Sequence, residues 1–208
     1  MADHCCAGKG KELERLARQS EQRRVLQIVL LINAVMFAAE FSAGLIAGSA
    51  ALMADSIDML GDALVYALSL YALSRSERWK GGAALAKGLF ILAFGIGIAI
   101  DIVIKLQSGV PPSSRLMLIF GAIALGANLI CLRLLWRFRA QDVNMASTFE
   151  CSRNDVISNV GVLIAAVAVG LLHSPWPDII VGAIIAALFL RSSVSVIRSS
   201  LPSLRMAL

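Results

Sequence analysis

The sequence predicts an all-α membrane protein, a bundle of six transmembrane helices, and three observations carry that prediction. Of 208 residues, 58% are hydrophobic and the mean hydropathy is +0.78, above the roughly 45–50% usual for soluble domains. Six apolar runs, each roughly 20 residues, match the thickness of a bilayer core. They fall near Val25–Ala47, Ala50–Leu73, Ala83–Lys105, Leu116–Trp136, Asn144–Leu172 and Asp178–Val196. Finally, the basic residues sort by connection. Lys9, Lys11, Arg15, Arg18, Arg23 and Arg24 precede the first run. Arg75, Arg78, Lys80 and Lys87 surround the 2–3 connection, and Arg133, Arg137, Arg139 and Arg153 the 4–5 connection. Arg191, Arg198 and Arg205 come last, and only Lys105 and Arg115 fall on the other side. This bias places both termini in the cytoplasm. The net charge of +5 is thus a matter of topology and implies no nucleic-acid partner.

The organisation that follows is a cytoplasmic segment at 1–24, a six-helix transmembrane domain at 25–200 and a short cytoplasmic tail at 201–208. The first 24 residues are polar and charged, so no cleavable signal peptide is expected, and no second, soluble domain fits.

Taken in order, the start reads Asp3-His4-Cys5-Cys6, four side chains of metal-ligating type. His4, Cys5 and Cys6 are either an accessory site for a thiophilic metal or incidental residues of a tail. Lys9–Arg24 favours helix. Helix 1 carries Asn33 and Glu40 on one face; Glu40 belongs to an ion or proton path or is a hydrogen-bonded packing residue. Helix 2 opens Gly48-Ser49-Ala50-Ala51 and continues to Ala54, small residues that allow a neighbouring helix close approach. It then carries Asp55, Asp58 and Asp62. Helix 3 ends near Asp101, expected as a solvated carboxylate at the outer mouth. Gly109-Val-Pro111-Pro112 is a turn. Helix 4 offers Cys131 as core and Asn128 as an interhelical hydrogen-bond donor. Helix 5 carries Cys151, Asp155 and Asn159 on one face. His173 belongs to an outer turn and reads as a surface residue, next to the interfacial Trp176. Cys5 and Cys6 lie on the reducing side, so the four cysteines make no disulfide framework.

Charged groups inside apolar helices are costly and mark polar cavities with a function. Two helices each present a ligand-type pair at i, i+4: Asp58/Asp62 and Cys151/Asp155. Residues at that spacing lie one above the other on a helix face. Facing each other, the pairs would offer three carboxylates and a thiolate, a tetrahedral set suited to Zn²⁺ or Cd²⁺. The alternative is a group of protonated carboxylates hydrogen-bonded between helices.

Helix 2, Gly48-Ser-Ala-Ala-Leu-Met-Ala-Asp-Ser-Ile-Asp58-Met-Leu-Gly-Asp62, resembles the second helix of the cation diffusion facilitator transporters. Asp155-Val-Ile-Ser-Asn-Val-Gly-Val-Leu and Trp176-Pro-Asp178 resemble the fifth helix and the start of the sixth. The resemblance spans roughly Val25 to Ser200. It implies that Asp58, Asp62, Cys151 and Asp155 bind the transported metal and that Asp55 falls outside the quartet, near the path or hydrogen-bonded to a neighbouring helix. It implies a secondary active exporter of divalent cations, not an enzyme, with Zn²⁺ or Cd²⁺ as cargo and protons exchanged by alternating access. It implies a homodimer in the lipid bilayer of a bacterial inner membrane. The chain departs from the family at several points. Cys151 stands where relatives most often have His. Lys80 and Lys87 replace an acidic and arginine pattern at the start of helix 3. The His-rich 4–5 loop and the cytoplasmic domain after helix 6 are not seen, so any dimer would form through membrane helices. No His-Glu-x-x-His metalloprotease motif is present. A small proton-coupled multidrug exporter and a membrane metal sensor are the other function classes open to such a chain.

Overall fold

The computed structural model describes residues 2–72, 77–139 and 143–205. The side chains of residues 2–19 and of most residues between 68 and 87 lie outside that description, as do 143–148 and several positions beyond 191. Six α-helices account for the fold: α1 (Ala2–Ala47), α2 (Ala50–Ala72), α3 (Glu77–Ser108), α4 (Ser114–Trp136), α5 (Val143–Leu172) and α6 (Trp176–Arg205). Among the described residues there is no strand. The ends of the helices match the turn chemistry of the sequence. They differ from expectation where a polar segment continues a helix: α3 begins at Glu77, ahead of the span expected from Ala83, so Arg78 and Lys80 join Lys87 in the helix, and α6 runs on to Arg205. The charged segment before residue 25 is likewise continuous with α1, whose 46 residues span about 69 Å, more than twice a hydrocarbon core. Among the described residues, four helices contain a window long and apolar enough to cross a membrane: Ser20–Ala47, Gly88–Ser108, Ser114–Trp136 and Phe149–Leu172. The expected spans in α2 and α6 are helices too, but α2 dilutes its apolar run with three aspartates.

α2 is the central helix. It packs on α1, α3, α5 and α6, and Ala50, Ala51, Leu52, Ala54 and Ile57 are fully buried. Its small residues make this possible, because neighbouring backbones approach where side chains are short. The most extensive helix contacts pair α3 with α6, α1 with α2 and α4 with α5. The outer faces are apolar and exposed, as at Leu31, Ile46, Ile164 and Leu171, which suits a surface solvated by lipid chains and not by water. The protein is an integral membrane protein.

The α1–α2 turn is fixed by Gly48. Its φ of 68° is the left-handed conformation that glycine adopts without penalty. Gly48 N–H bonds the Leu45 carbonyl at 3.3 Å and Ser49 N–H bonds the Gly44 carbonyl at 2.9 Å, the two reversed bonds that close a helix C-terminus. The chain then re-enters helix at Ser49, whose Oγ accepts the Leu52 N–H at 3.1 Å as an N-cap. At the same end of the bundle, Ser113 N–H bonds the Ala47 carbonyl at 2.9 Å, tying the start of α4 to the end of α1.

Asp178 completes this end. It is fully buried at the first turn of α6. Ser49 Oγ–H donates to its Oδ1 at 2.5 Å, Ala51 N–H donates to the same oxygen at 3.1 Å, and Ala50 N–H donates to Oδ2 at 2.8 Å. One carboxylate of α6 therefore satisfies the open N–H groups of α2 and faces the positive end of its dipole. Gly182, one turn along α6, allows the approach: a Cβ there would stand 2.9 Å from the Ala50 carbonyl carbon. Asp101, expected in solvent, is instead half-buried and ion-paired with Lys105 one turn away, whose side chain is 12% exposed. Where both charges are partly withdrawn from water, pairing them one turn apart offsets part of the desolvation cost.

Candidate metal centre

Asp58 and Asp62 lie on the central helix where its small-residue half ends, so their carboxylates enter the bundle and not the lipid. α5 passes across them. The two helices and α6 enclose a cavity of about 470 Å³, lined by Asp58, Asp62, Cys151 and Asp155. The face read from each i, i+4 pair is thus the face turned to the cavity. Asp62 and Asp155 are 7% and 3% exposed, Asp58 is half-buried and Cys151 is exposed. Asp58 and Asp155, from different helices, come within hydrogen-bonding reach. Among the described residues no three His, Cys, Asp or Glu side chains are already drawn into a closed coordination shell. The arrangement is an open polar cavity with four ionisable groups in its wall.

Two neighbours escaped the sequence reading. Tyr66, 1% exposed, donates its phenol O–H to Asp62 Oδ2 at 2.8 Å. The signal was present, since Tyr66 is one turn beyond Asp62, but a lone Tyr in an apolar helix looks like core. Asn154 also lines the cavity; it precedes Asp155 and was hidden by its position off the i, i+4 face. Ile185 and Phe189 of α6 supply the apolar wall, which keeps the local dielectric low and strengthens any charge interaction inside.

Asp55 lies outside the cavity lining, on the interhelical side of α2. Asn159 Nδ2 of α5 donates to its Oδ2. Asn128 Nδ2 of α4 in turn donates to Asn159 Oδ1 at 3.4 Å, the interhelical bond anticipated for Asn128. Asn159 shares the Cys151/Asp155 stripe yet serves this polar chain. Asn33 and Glu40 share a face of α1 but not a partner: Asn33 Nδ2 bonds the Val29 carbonyl at 2.9 Å and reaches Cys131 Sγ at 3.9 Å, whereas Glu40 turns to Asp55. Cys131 is core, 1% exposed, and no disulfide occurs among the described residues. His173 closes α5 with a φ of 49° at the surface. The side chains of His4, Cys5 and Cys6 lie outside the described residues.

The buried central helix thus carries carboxylates into a cavity that it shares with α5 and α6, and the comparison with known proteins names a family. Residues 26–205 match the cation efflux transmembrane domain, so the chain belongs to the cation efflux family, a family of transporters and not enzymes. Among curated relatives, it is 24% identical over 201 residues to the zinc transporter ZitB of Pectobacterium atrosepticum, covering 89% of this chain and 62% of that protein. It is 26% identical over 199 residues to the zinc transporter ZitB of Yersinia pestis, covering 88% and 63%. The chain therefore spans a little over three fifths of the length of these relatives.

Proposed function

We propose that the protein moves divalent metal cations out of the cytoplasm, with Zn²⁺ as first cargo and Cd²⁺ as second, and that Asp58, Asp62, Cys151 and Asp155 ligate the ion in transit. The observation that carries this reading is the cavity walled by those four groups from α2 and α5. Three carboxylates so close in a low-dielectric site repel one another when ionised, and either protons or a divalent cation relieves them. The relatives described as zinc transporters favour zinc among the candidates.

The mechanism is metal/proton antiport by alternating access. Ligands bind metal only when deprotonated. With the cavity open to the cytoplasm, protons leave the carboxylates and the thiol as Zn²⁺ enters. With the cavity open outward, protons at higher activity compete for the same oxygens and sulfur, and the ion is released. Each ligand lost to a proton weakens the shell, so apparent affinity rises with pH. Both termini are cytoplasmic in this scheme, the membrane is a bacterial inner membrane, and a homodimer forms through membrane helices.

The test is zinc uptake into inverted vesicles under an imposed pH gradient. Flux should fall to background in Asp62→Ala and when the gradient is collapsed; flux indifferent to both would refute antiport through this cavity. Cys151→His should keep zinc transport and lower the Cd²⁺/Zn²⁺ ratio, because imidazole is a harder donor than thiolate. An unchanged ratio would remove Cys151 from the shell.

A further inference from the structure

Glu40 has no part in the cavity, yet it is one of the least accommodated groups in the protein. Its side chain is fully buried, and neither carboxyl oxygen has a donor among the described residues. It stands within hydrogen-bonding reach of Asp55, itself 1% exposed. Asp55 Oδ2 is taken by the Asn159 amide, and Asn128 holds Asn159 in that orientation. The oxygen left over, Asp55 Oδ1, also lacks a donor. Two acceptors therefore meet in the interior of the bundle with nothing between them. The described ion pairs, Lys105–Asp101, Arg137–Glu21 and Arg153–Glu150, leave both groups without a cationic partner.

Two ionised carboxylates cannot remain in contact in such surroundings, so a cation has to lie between them. A metal ion is the wrong size of answer. Zinc takes four ligands and calcium six to eight, and no third His, Cys, Asp or Glu joins this pair among the described residues. One proton needs only two oxygens.

We propose that Glu40 carries a proton donated to Asp55 Oδ1, forming a proton site apart from the metal cavity, and that this proton leaves when the cavity takes up a divalent cation. Among the described residues, the groups that face the pair are acidic or neutral: Asp58 on α2 and Asp155 on α5 act on Asp55 through charge, while Asn159 and Asn128 present amides. Asp55 is three residues from Asp58, so one turn of α2 separates the pair from the cavity, about 5–6 Å between side-chain roots. A divalent cation at that range favours the ionised form of the pair and expels its proton; removal of the cation draws a proton back. The α1–α2 contact thereby carries one charge opposite in direction to the cargo. This coupling rests on the metal reading of the cavity, whereas the shared proton itself does not.

The experiment uses the full chain in lipid nanodiscs with Zn²⁺ alone as probe. Infrared difference spectra should show a protonated-carboxyl band in the metal-free protein that disappears on zinc addition. In weakly buffered solution, Glu40→Gln should lose one carboxyl's share of that band and release about one proton fewer per zinc bound, with zinc affinity within about threefold of wild type. Unaltered proton release in folded Glu40→Gln, or a band of undiminished intensity, overturns the proposal. Should that variant fail to fold, the wild-type spectrum decides, since absence of a zinc-sensitive protonated-carboxyl band overturns it equally. Asp62→Ala separates the two readings: zinc binding unaffected by that change defeats the metal cavity, while the shared-proton band stands or falls by Glu40→Gln.

Discussion

Asp178 and Asp62 are both buried carboxylates in an apolar bundle, and they differ in what surrounds them. Asp178 receives three donors, one hydroxyl and two backbone amides, and each bond fastens α6 to the start of α2. Asp62 accepts the Tyr66 hydroxyl and lines a cavity beside other acids. A carboxylate enclosed by donors has its charge spent on structure. A carboxylate facing like charges is held at a cost, and it persists where an ion or proton makes use of it. Burial alone does not distinguish the two; the cavity and the acids that line it do.

Exchanging the roles of these residues is the sharpest way to break the comparison. Asp62→Ala should lower zinc affinity by more than about 100-fold, as expected for loss of one ligand of a small shell, while the unfolding midpoint stays level or rises because a repulsive charge is gone. Titration calorimetry alongside thermal unfolding reads both. Asp178→Ala should do the reverse. It leaves Ser49 Oγ and two N–H groups without an acceptor, at a cost of about 2–4 kcal/mol, and zinc affinity per folded molecule should be unchanged. If Asp178→Ala abolished zinc binding in folded protein, the structural assignment would fail. Gly182→Ala tests the same joint more gently. The added methyl meets the Ala50 backbone, which cannot turn aside, so a loss of about 1–2 kcal/mol is expected, offset by up to about 1 kcal/mol of helix propensity. A stabilised protein would show the contact to be looser than described. Tyr66→Phe is the mildest change. It removes one bond that orients Asp62, and a drop in zinc affinity of about tenfold is expected, with the pH dependence of binding displaced; identical binding curves would make Tyr66 plain core.

Much of this was legible in the sequence because the relevant interactions are local. The six helices follow from apolar runs of membrane length, and the cavity face of α2 and α5 follows from the spacing of Asp58 to Asp62 and Cys151 to Asp155. The joint between α2 and α6 was not legible. Ser49 and Asp178 are 129 residues apart, and nothing in either segment names the other. Asp101 was misjudged because its distance from the helix end suggested water, while Lys105, one turn on, offered a partner. Glu40 was left between two readings since its meaning depends on where α1 lies against α2. Asn159 was placed on the correct stripe and still serves a different group, because α5 rotates its polar edge past two targets in turn.

The joint at Asp178 has a geometric consequence. Sliding α2 lengthwise along α6 would break three bonds at once and drive Gly182 from its seat on Ala50. Motions that spare those bonds swing the two helices like shears riveted at one tip. The cavity lies away from the rivet, toward the blades, where a small change of angle becomes a large change of gap.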